Sequence, residues 1–156
     1  IYYGDEIGMP GFGDPDNRQP LWEHGLDLSQ SPSLNDVLVQ LDTRQADMLD
    51  HVARLSRARQ EHPEIRRGET QQWWMGPDDW TTTWGWTRLD PQTGEGSLTI
   101  LNLSAESVTL ENSLGYAGLP ESGIYVDILS DETFEAADDF IRIEVPPLSS
   151  RVLVIP

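Results

Sequence analysis

The sequence predicts an α+β chain, with loop and helices over residues 1–68 and an all-β antiparallel sandwich over residues 69–156. The first observation behind this prediction is a change of periodicity. Apolar residues recur at helical spacing before Pro63, whereas after Gly68 they alternate with polar residues. The second is that turn residues separate roughly seven or eight short apolar runs in the later part, which is typical of a sandwich.

Composition and charge exclude several classes of function. The chain has 156 residues and a formal charge of -17. Because phosphate binding needs clustered cations, neither nucleic acid nor an anionic membrane surface is expected as a partner, whereas neutral sugars remain compatible. Cysteine is absent, which excludes disulfides and thiolate metal sites. No apolar stretch approaches the length that crosses a bilayer, and nothing in the sequence indicates a compartment.

The first 32 residues predict a short strand and then a long loop. Residues 1–3 are apolar and aromatic, as at the end of a buried strand. Glycine and proline then interrupt the chain at Gly4, Gly8, Pro10, Gly11, Gly13, Pro15, Pro20, Gly25 and Pro32. A loop of this length in a compact domain is usually functional or disordered, and the apolar anchors Met9, Phe12 and Trp22 favour an ordered, functional loop.

Two helices are predicted between residues 33 and 62. Ser33 caps the first, because Asp36 three residues later completes a capping box. Either Asp42 or Thr43 caps the second, longer helix, whose apolar positions recur at helical spacing: Met48, Leu49, Val52, Leu55 and Ala58. Pro63 ends this helix, because a residue before proline is disfavoured in helical geometry.

The runs after Gly68 are predicted to be strands of one small domain. They cover residues 70–75, 80–88, 98–103, 108–110, 124–129, 140–145 and 151–155. The turns predicted between them lie at residues 76–79, 91–96, 115–123 and 146–147.

The opening motifs resemble a known family. Residues 2–6 are Tyr-Tyr-Gly-Asp-Glu, and residues 14–18 have the form Asp-Pro-x-x-Arg and are followed by the aromatic Trp22. This stretch resembles the eighth-strand segment and following loop of the α-amylase family, family 13 of the glycoside hydrolases. Residues 55–63 resemble the end of that family's last barrel helix. Residues 101–104 and 147–154 resemble two landmarks of its C-terminal domain.

The resemblance implies a C-terminal fragment of a glycoside hydrolase. Residues 1–68 would be the last strand, loop and helices of a (β/α)8 barrel, and residues 69–156 an amylase-type C-terminal sandwich. The intact enzyme is implied to hydrolyse or transfer α-glucosidic bonds with an aspartate nucleophile, a glutamate acid/base and a third aspartate. The family carries all three on earlier strands, so no catalytic residue is expected in this chain, and the isolated chain is expected to be inactive. The implied partners are an α-glucan or maltooligosaccharide and the missing N-terminal barrel; no cofactor is expected.

Asp14 and Arg18 are the predicted substrate-binding residues. In the family, the Asp-Pro-x-x-Arg loop lines the non-reducing side of the glucan cleft. A carboxylate can accept hydrogen bonds from two sugar hydroxyls, while a guanidinium donates in a fixed fork. Four residues apart on a turn, the two side chains can also pair and orient each other. A loop-stabilising salt bridge without a ligand is the alternative.

Other polar combinations give weaker hypotheses. Asp5 and Glu6 are not predicted to be a catalytic pair, because adjacent residues on an extended segment point in opposite directions. Asp14 and Asp16 resemble the start of a calcium loop, but Arg18 and Gln19 replace the residues that should follow, so no metal site is predicted.

Two further patterns are also discounted. The glycines at 8, 11 and 13 show the reverse of the dinucleotide fingerprint and open no helix, which indicates a flexible loop. The three histidines, His24, His51 and His62, lack metal-ligand spacing, so zinc is not predicted.

Tryptophans are concentrated at the start of the β part, at Trp73, Trp74, Trp80, Trp84 and Trp86. The last three share strand parity, so they would lie on one face. Such rows stack on pyranose rings in sugar-binding modules, whereas burial in the core or against the barrel is the simpler interpretation. The alternative function for the whole chain is therefore a non-catalytic carbohydrate-binding or structural β-sandwich module.

Overall fold

A computed structural model describes residues 4–11, 13–14, 18–29, 32–75 and 82–156. The predicted strand at residues 1–3, the predicted anchor Phe12 and the predicted turn at residues 76–79 lie outside the described residues. The chain divides into two compact units, Ile1–Ser56 and Arg57–Pro156. The domain boundary after residue 68 stays a prediction from the sequence.

Short helical segments organise the first unit. In chain order these are the 3-10 turns Asp5–Ile7 and Leu21–His24, helix α1 (Leu34–Leu38) and the larger part of helix α2 (Thr43–Glu61). The 3-10 turns fall within the stretch predicted as loop, where glycine and proline prevent a longer helix from forming.

Both α-helices of this unit begin with a side chain that caps the backbone. At α1 the Ser33 N–H donates to Asp36 Oδ2 at 2.9 Å, and the Asp36 N–H donates to Ser33 Oγ at 3.4 Å. This confirms the predicted capping box. At α2 the Gln45 N–H donates to Asp42 Oδ1 at 3.0 Å. Asp42 therefore supplies the cap, and Thr43 is the first helical residue.

The first unit contains few buried apolar residues. Among those the structure describes in it, only Ile7 and Leu26 are buried, whereas Val39 and Met48 remain exposed. Burial of apolar surface is the main favourable term in folding, so this unit has little core of its own.

The second unit holds the end of α2, a short helix and all the strands of the described chain. These are α3 (Pro63–Arg67), β1 (Glu69–Met75), β2 (Thr83–Leu89), β3 (Gly96–Asn102), β4 (Val108–Ser113), β5 (Gly123–Asp127), β6 (Thr133–Ala137), β7 (Phe140–Val145) and β8 (Ser149–Val154). His62 interrupts the helical path with extended backbone, and Pro63 then starts α3 at its first position. The predicted end of α2 is confirmed, because proline is tolerated at a helix start and not in its interior.

The strands form one eight-stranded sheet in the order β1-β2-β3-β8-β5-β6-β7-β4. Each pairing is antiparallel. Strands β1 to β3 are a meander, β8 returns beside β3, and β4 joins the far edge next to β7. In this order β3 and β4 are not neighbours in the sheet, although they are adjacent in the sequence.

Strands from both ends of this order contribute to a single hydrophobic core. Its buried members are Trp73, Leu98, Ile100, Leu110, Leu114, Ala117, Leu119, Tyr125, Ala136, Ile141, Ile143, Val145 and Leu153. The two halves of the sheet therefore cover a common interior, as in the predicted sandwich. Strand β7 shows this most simply, since exposed and buried residues alternate along it.

The strand predictions are confirmed for most of the second unit. The run at 140–145 coincides with β7, and most of the other runs differ at their ends by a few residues. Strand β6 was not predicted, because Thr133–Ala137 contains only one large apolar residue, Phe134. It forms because it completes the ladder between β5 and β7.

None of the helices in the described parts of the chain combines the length and the apolar character that a membrane span requires.

Candidate functional site

The predicted contact residues Asp14 and Arg18 pair with each other on the loop. Arg18 Nε lies 3.0 Å from Asp14 Oδ1, and Arg18 Nη2 donates to Asp14 Oδ2 at 3.3 Å. The side chains remain 70% exposed for Arg18 and 65% exposed for Asp14. Two roughly parallel contacts fix the guanidinium plane against the carboxylate, while both groups stay open to solvent.

A tight turn precedes this pair. Gly4 has a φ of 91°, and a Cβ there would come within 2.7 Å of Met9 Cε, so only glycine fits. The Gly4 N–H donates to Glu6 Oε2 at 3.0 Å. The expectation that Asp5 and Glu6 lie on an extended segment is wrong, because they begin a 3-10 turn. The bond to Gly4 gives Glu6 a structural role.

An apolar cavity of about 690 Å³ lies in the same unit, after Arg18 in the sequence. Its lining includes Leu21, Trp22, Leu26 and Leu28. Trp22, one of the predicted apolar anchors, is 73% exposed, so it is not buried among the described residues. The turn Leu21–His24 instead presents the indole on the surface beside the cavity.

Two further carboxylates of this unit hold backbone groups. The side-chain hydrogen bond with Ser29, and then the backbone bond with the same residue, lower the pKa of Asp27. In the same way the bonds with Ser33 lower the pKa of Asp36. A lowered pKa keeps both groups ionised at neutral pH, which suits acceptors of backbone N–H groups and does not suit a general acid.

The histidines lie apart from one another along the described chain. His24 is in the 3-10 turn, His51 is exposed on α2, and His62 Nδ1 lies 3.0 Å from Glu64 Oε1 at the start of α3. No group of three or more histidine, aspartate or glutamate side chains among the described residues is placed to hold a metal ion. Asp16, the second acid of the calcium-like pattern, lies outside the described residues.

The tryptophans of the β part separate into two groups. Trp73 is buried in the core, and its indole N–H donates to the Ser113 carbonyl at 2.8 Å. This confirms core burial for one of the five. Trp84, by contrast, is 44% exposed on β2, and Trp86 is half-buried on the same face. Trp80 lies outside the described residues.

The sequence identified the ion pair but not the cavity. The Asp-Pro-x-x-Arg spacing was sufficient to bring Asp14 and Arg18 together. The cavity depends on Gly25, whose φ of 86° ends the 3-10 turn and returns the chain towards Leu26. A glycine after Leu-Trp-Glu-His is the one local signal for this turn, and it is too common to indicate a cavity.

Comparison with known proteins gives one relative by sequence and several solved structures by fold. No family model matches it. A cyclomaltodextrinase of Geobacillus thermopakistaniensis (strain MAS1) is 25% identical over 148 residues, which are 94% of this chain and 21% of that protein. The match falls in the C-terminal portion of the relative.

Solved structures show the same fold. The α-amylase of Anoxybacillus has a TM-score of 0.70 and 18% identity, over 99% of this chain and 28% of its own. The α-amylase of Geobacillus thermoleovorans, complexed with acarbose, has a TM-score of 0.70 and 22% identity, over 98% of this chain and 28% of its own. The resemblance to the C-terminal portion of family 13 enzymes is confirmed. The eight-stranded antiparallel sheet matches the C-terminal β domain of these family 13 neighbours. The chain spans about a fifth to somewhat more than a quarter of the length of these family 13 proteins.

Proposed function

We propose that this chain is the C-terminal portion of an α-amylase-type glycoside hydrolase that acts on α-glucosidic bonds of starch-like glucans or maltooligosaccharides. Residues 1–68 are the last part of the catalytic barrel, and residues 69–156 are a packing domain. The observation that carries the proposal is the exposed Asp14–Arg18 pair, in a chain that aligns over 94% of its length with a cyclomaltodextrinase.

The burial pattern of the first unit supports its assignment to a larger domain. Exposed apolar side chains there include Trp22, Leu28, Val39 and Met48. Soluble proteins rarely leave so much apolar surface exposed in so short a segment unless something else covers it. The missing strands and helices of a barrel would supply that cover.

The chemistry of the ion pair suits a sugar. The pairing uses two of the five guanidinium N–H groups of Arg18, so others remain able to donate to hydroxyls. Each oxygen of Asp14 contacts one nitrogen of Arg18 and keeps a lone pair for a sugar hydroxyl. As a surface ion pair it adds only about 0–1 kcal/mol to stability, so stability alone gives little reason for its geometry.

We assign catalysis and substrate binding to different parts of the enzyme. A retaining glycosidase needs a carboxylate nucleophile and a carboxylic acid that protonates the leaving group, about 5–5.5 Å apart. We assign both to the part of the enzyme before this chain. Asp14 and Arg18 then bind and orient the glucan at one wall of the cleft, and residues 69–156 form the packing domain.

Two measurements test the proposal. The coding region upstream of Ile1 should encode a barrel with three spaced carboxylates, and its absence there would contradict the proposal. The isolated chain should release no reducing sugar from starch or maltoheptaose beyond a mock-purified control. Release by a soluble preparation would show that the chain holds catalytic groups of its own.

A further inference from the structure

Two tryptophans of the β domain face outward from β2, and a third, the partly buried Trp74, packs against the core beside them. Trp84 and Trp86 are two residues apart on β2 and lie on its outward face. Trp74 of β1 lies beside them, opposite Gly85 in the ladder. Together with two polar residues they line a shallow depression of about 250 Å³: Thr70, Gln72, Trp74, Trp84 and Trp86. This set is called the aromatic platform below.

Gly85 makes this arrangement possible. The β1–β2 register shifts between Gln72 and Trp74, so the ladder is bulged at Trp73. A Cβ on Gly85 would lie 2.9 Å from Trp73 Cε3 and 3.0 Å from Trp74 Cβ. The missing side chain lets two consecutive tryptophans pack closely over β2. Trp73 is buried in the core, and Trp74 packs against the core while also lining the platform.

The platform is neutral on a strongly acidic chain. None of its five side chains is charged, whereas the whole chain carries a formal charge of -17. An uncharged lining has nothing with which to attract a charged partner, and the surrounding acidity repels an anionic one. Aromatic faces flanked by a hydroxyl and a carboxamide are the combination that binds a neutral, hydroxyl-rich ligand.

Trp74 offers no hydrogen-bond donor to a ligand at this surface, because its indole nitrogen is buried. The depression is too small to enclose an oligosaccharide, so such a ligand would lie across it.

We infer that the aromatic platform is a second glucan-binding site, separate from the Asp14–Arg18 loop. Trp84 and Trp86 stack on the faces of pyranose rings, and Thr70 and Gln72 bond to the ring hydroxyls. The choice of an α-linked glucan rests on the proposed function, whereas the stacking chemistry requires only a pyranose.

Binding of maltoheptaose to the whole chain tests this site. Titration calorimetry would compare the unchanged chain with Trp84→Ala, Trp86→Ala, Trp84→Tyr and Arg18→Ala. Phe140→Ala is the matched control, because Phe140 is an exposed aromatic residue of the same domain on β7. Each tryptophan-to-alanine change should weaken binding about three- to tenfold, the range expected for one aromatic contact, while Trp84→Tyr retains most of it. Near-ultraviolet circular dichroism verifies that each variant is folded.

The outcomes separate this site from the cleft loop. Loss of affinity in the tryptophan variants, with Phe140→Ala unchanged, supports the platform whatever Arg18→Ala does. Loss only in Arg18→Ala overturns the platform and leaves the proposed function intact. Absence of maltoheptaose binding at millimolar concentration overturns it as well. The platform is also overturned if Trp84→Ala changes the sedimentation coefficient of the chain and leaves its glucan affinity unchanged, because that result would assign the surface to a protein partner.

Discussion

The Asn102 side chain donates a hydrogen bond to the carbonyl oxygen of Pro146 at 2.8 Å. The same amide nitrogen also lies within bonding distance of the Glu106 and Val145 carbonyls, at 2.8 and 3.1 Å. Asn102 is fully buried, and its Oδ1 accepts from the Ser104 N–H at 2.9 Å. This one residue therefore joins the end of β3 to the turn between β7 and β8. The two sequence landmarks of the C-terminal domain, residues 101–104 and 147–154, meet at this place.

Asn102→Ala should lower the free energy of unfolding by about 2–4 kcal/mol, because it leaves several buried carbonyl groups without a donor. Urea denaturation at neutral pH measures the change. Asn112→Ala is the control, since its half-buried amide donates to the single carbonyl of Trp73 at 2.8 Å. A smaller loss is expected there. Equal losses in the two variants would contradict the special position of Asn102.

Arg151 is the second buried connection of the β domain. Its Nη1 lies 3.0 Å from Asp127 Oδ2, and its Nη2 lies 2.7 Å from Glu132 Oε2. Nε donates to the Glu144 carbonyl at 3.1 Å, and the guanidinium carbon lies 5.2 Å from the centre of the Phe134 ring. The exposed side-chain fraction of Arg151 is only 7%, so this charge depends on its partners.

Arg151→Met should lower the free energy of unfolding by about 3–5 kcal/mol, because it leaves the buried Asp127 carboxylate without its cationic partner. Adding Asp127→Asn should restore part of the lost stability. The Val152 N–H donates to Asp127 Oδ1 at 3.1 Å, and Asn retains an oxygen that can accept this bond. Arg142→Met, on the exposed face of β7, should change stability by less than about 0.5 kcal/mol. Additive losses in the double variant would show that Arg151 and Asp127 do not act as a pair.

Asp139 gives the domain a pH-dependent contact. The hydroxyl of Ser113, followed by the Gly115 and Leu114 N–H groups, lowers the pKa of Asp139 below its ordinary value of 3.8. A carboxylate with a lowered pKa in the folded state adds stability above its unfolded pKa. That stability is lost as the pH falls through the folded value.

Asp139→Asn should therefore destabilise the domain at pH 7, and the difference from the unchanged chain should shrink as the pH falls below 3.8. Asn keeps the backbone compatible, because Asp139 has a φ of 74° and Asn tolerates this region. Urea titrations at several pH values measure the effect. Asp138→Asn, at a neighbouring left-handed residue, is the control; a pH-independent difference at Asp139 would refute the charge effect.

Hydrogen exchange should distinguish the two units. Amides of β3, β7 and β8 should exchange slowly, because the core residues Leu98, Ile143 and Leu153 lie on these strands. Amides of α1 and of α2 before Ser56 should exchange quickly, because few apolar side chains are buried around them. Mass spectrometry of exchanged peptides resolves the two regions. Equally slow exchange in both would contradict the assignment of the first unit to a larger, incomplete domain.

Local signals in the sequence predicted the features that local chemistry determines. The capping box at Ser33 and the helix end before Pro63 depend on neighbouring residues, and strand β7 alternates without interruption. Strand β6 has only one large apolar residue of its own and is fixed by its pairing with β5 and β7. Trp73 is buried, whereas Trp84 is exposed. This difference follows from the bulge in β1 and from Gly85, and neither of these features can be recognised from the odd or even spacing of the tryptophans.

The candidate site was predictable only in part for the same reason. Asp14 and Arg18 are four residues apart, so their pairing is local. The cavity beside Trp22 depends on how the backbone turns at Gly25, and the aromatic platform requires β1 and β2 to pair. Composition therefore indicated a sugar as a permissible ligand without indicating these surfaces.

Arg18→Ala in the full-length enzyme separates substrate binding from a purely structural ion pair. If Arg18 donates to a sugar, the specificity constant for maltoheptaose should fall by about 1.5–3 kcal/mol, the usual range for a hydrogen bond to a charged group. The loss should be smaller on maltotriose, which is too short to reach this side of the cleft. The melting temperature should change little, because an ion pair this exposed stabilises weakly. Initial rates on both substrates and a melting curve provide the comparison. Equal losses on the two substrates, together with a lower melting temperature, would assign Arg18 and Asp14 to loop stability instead.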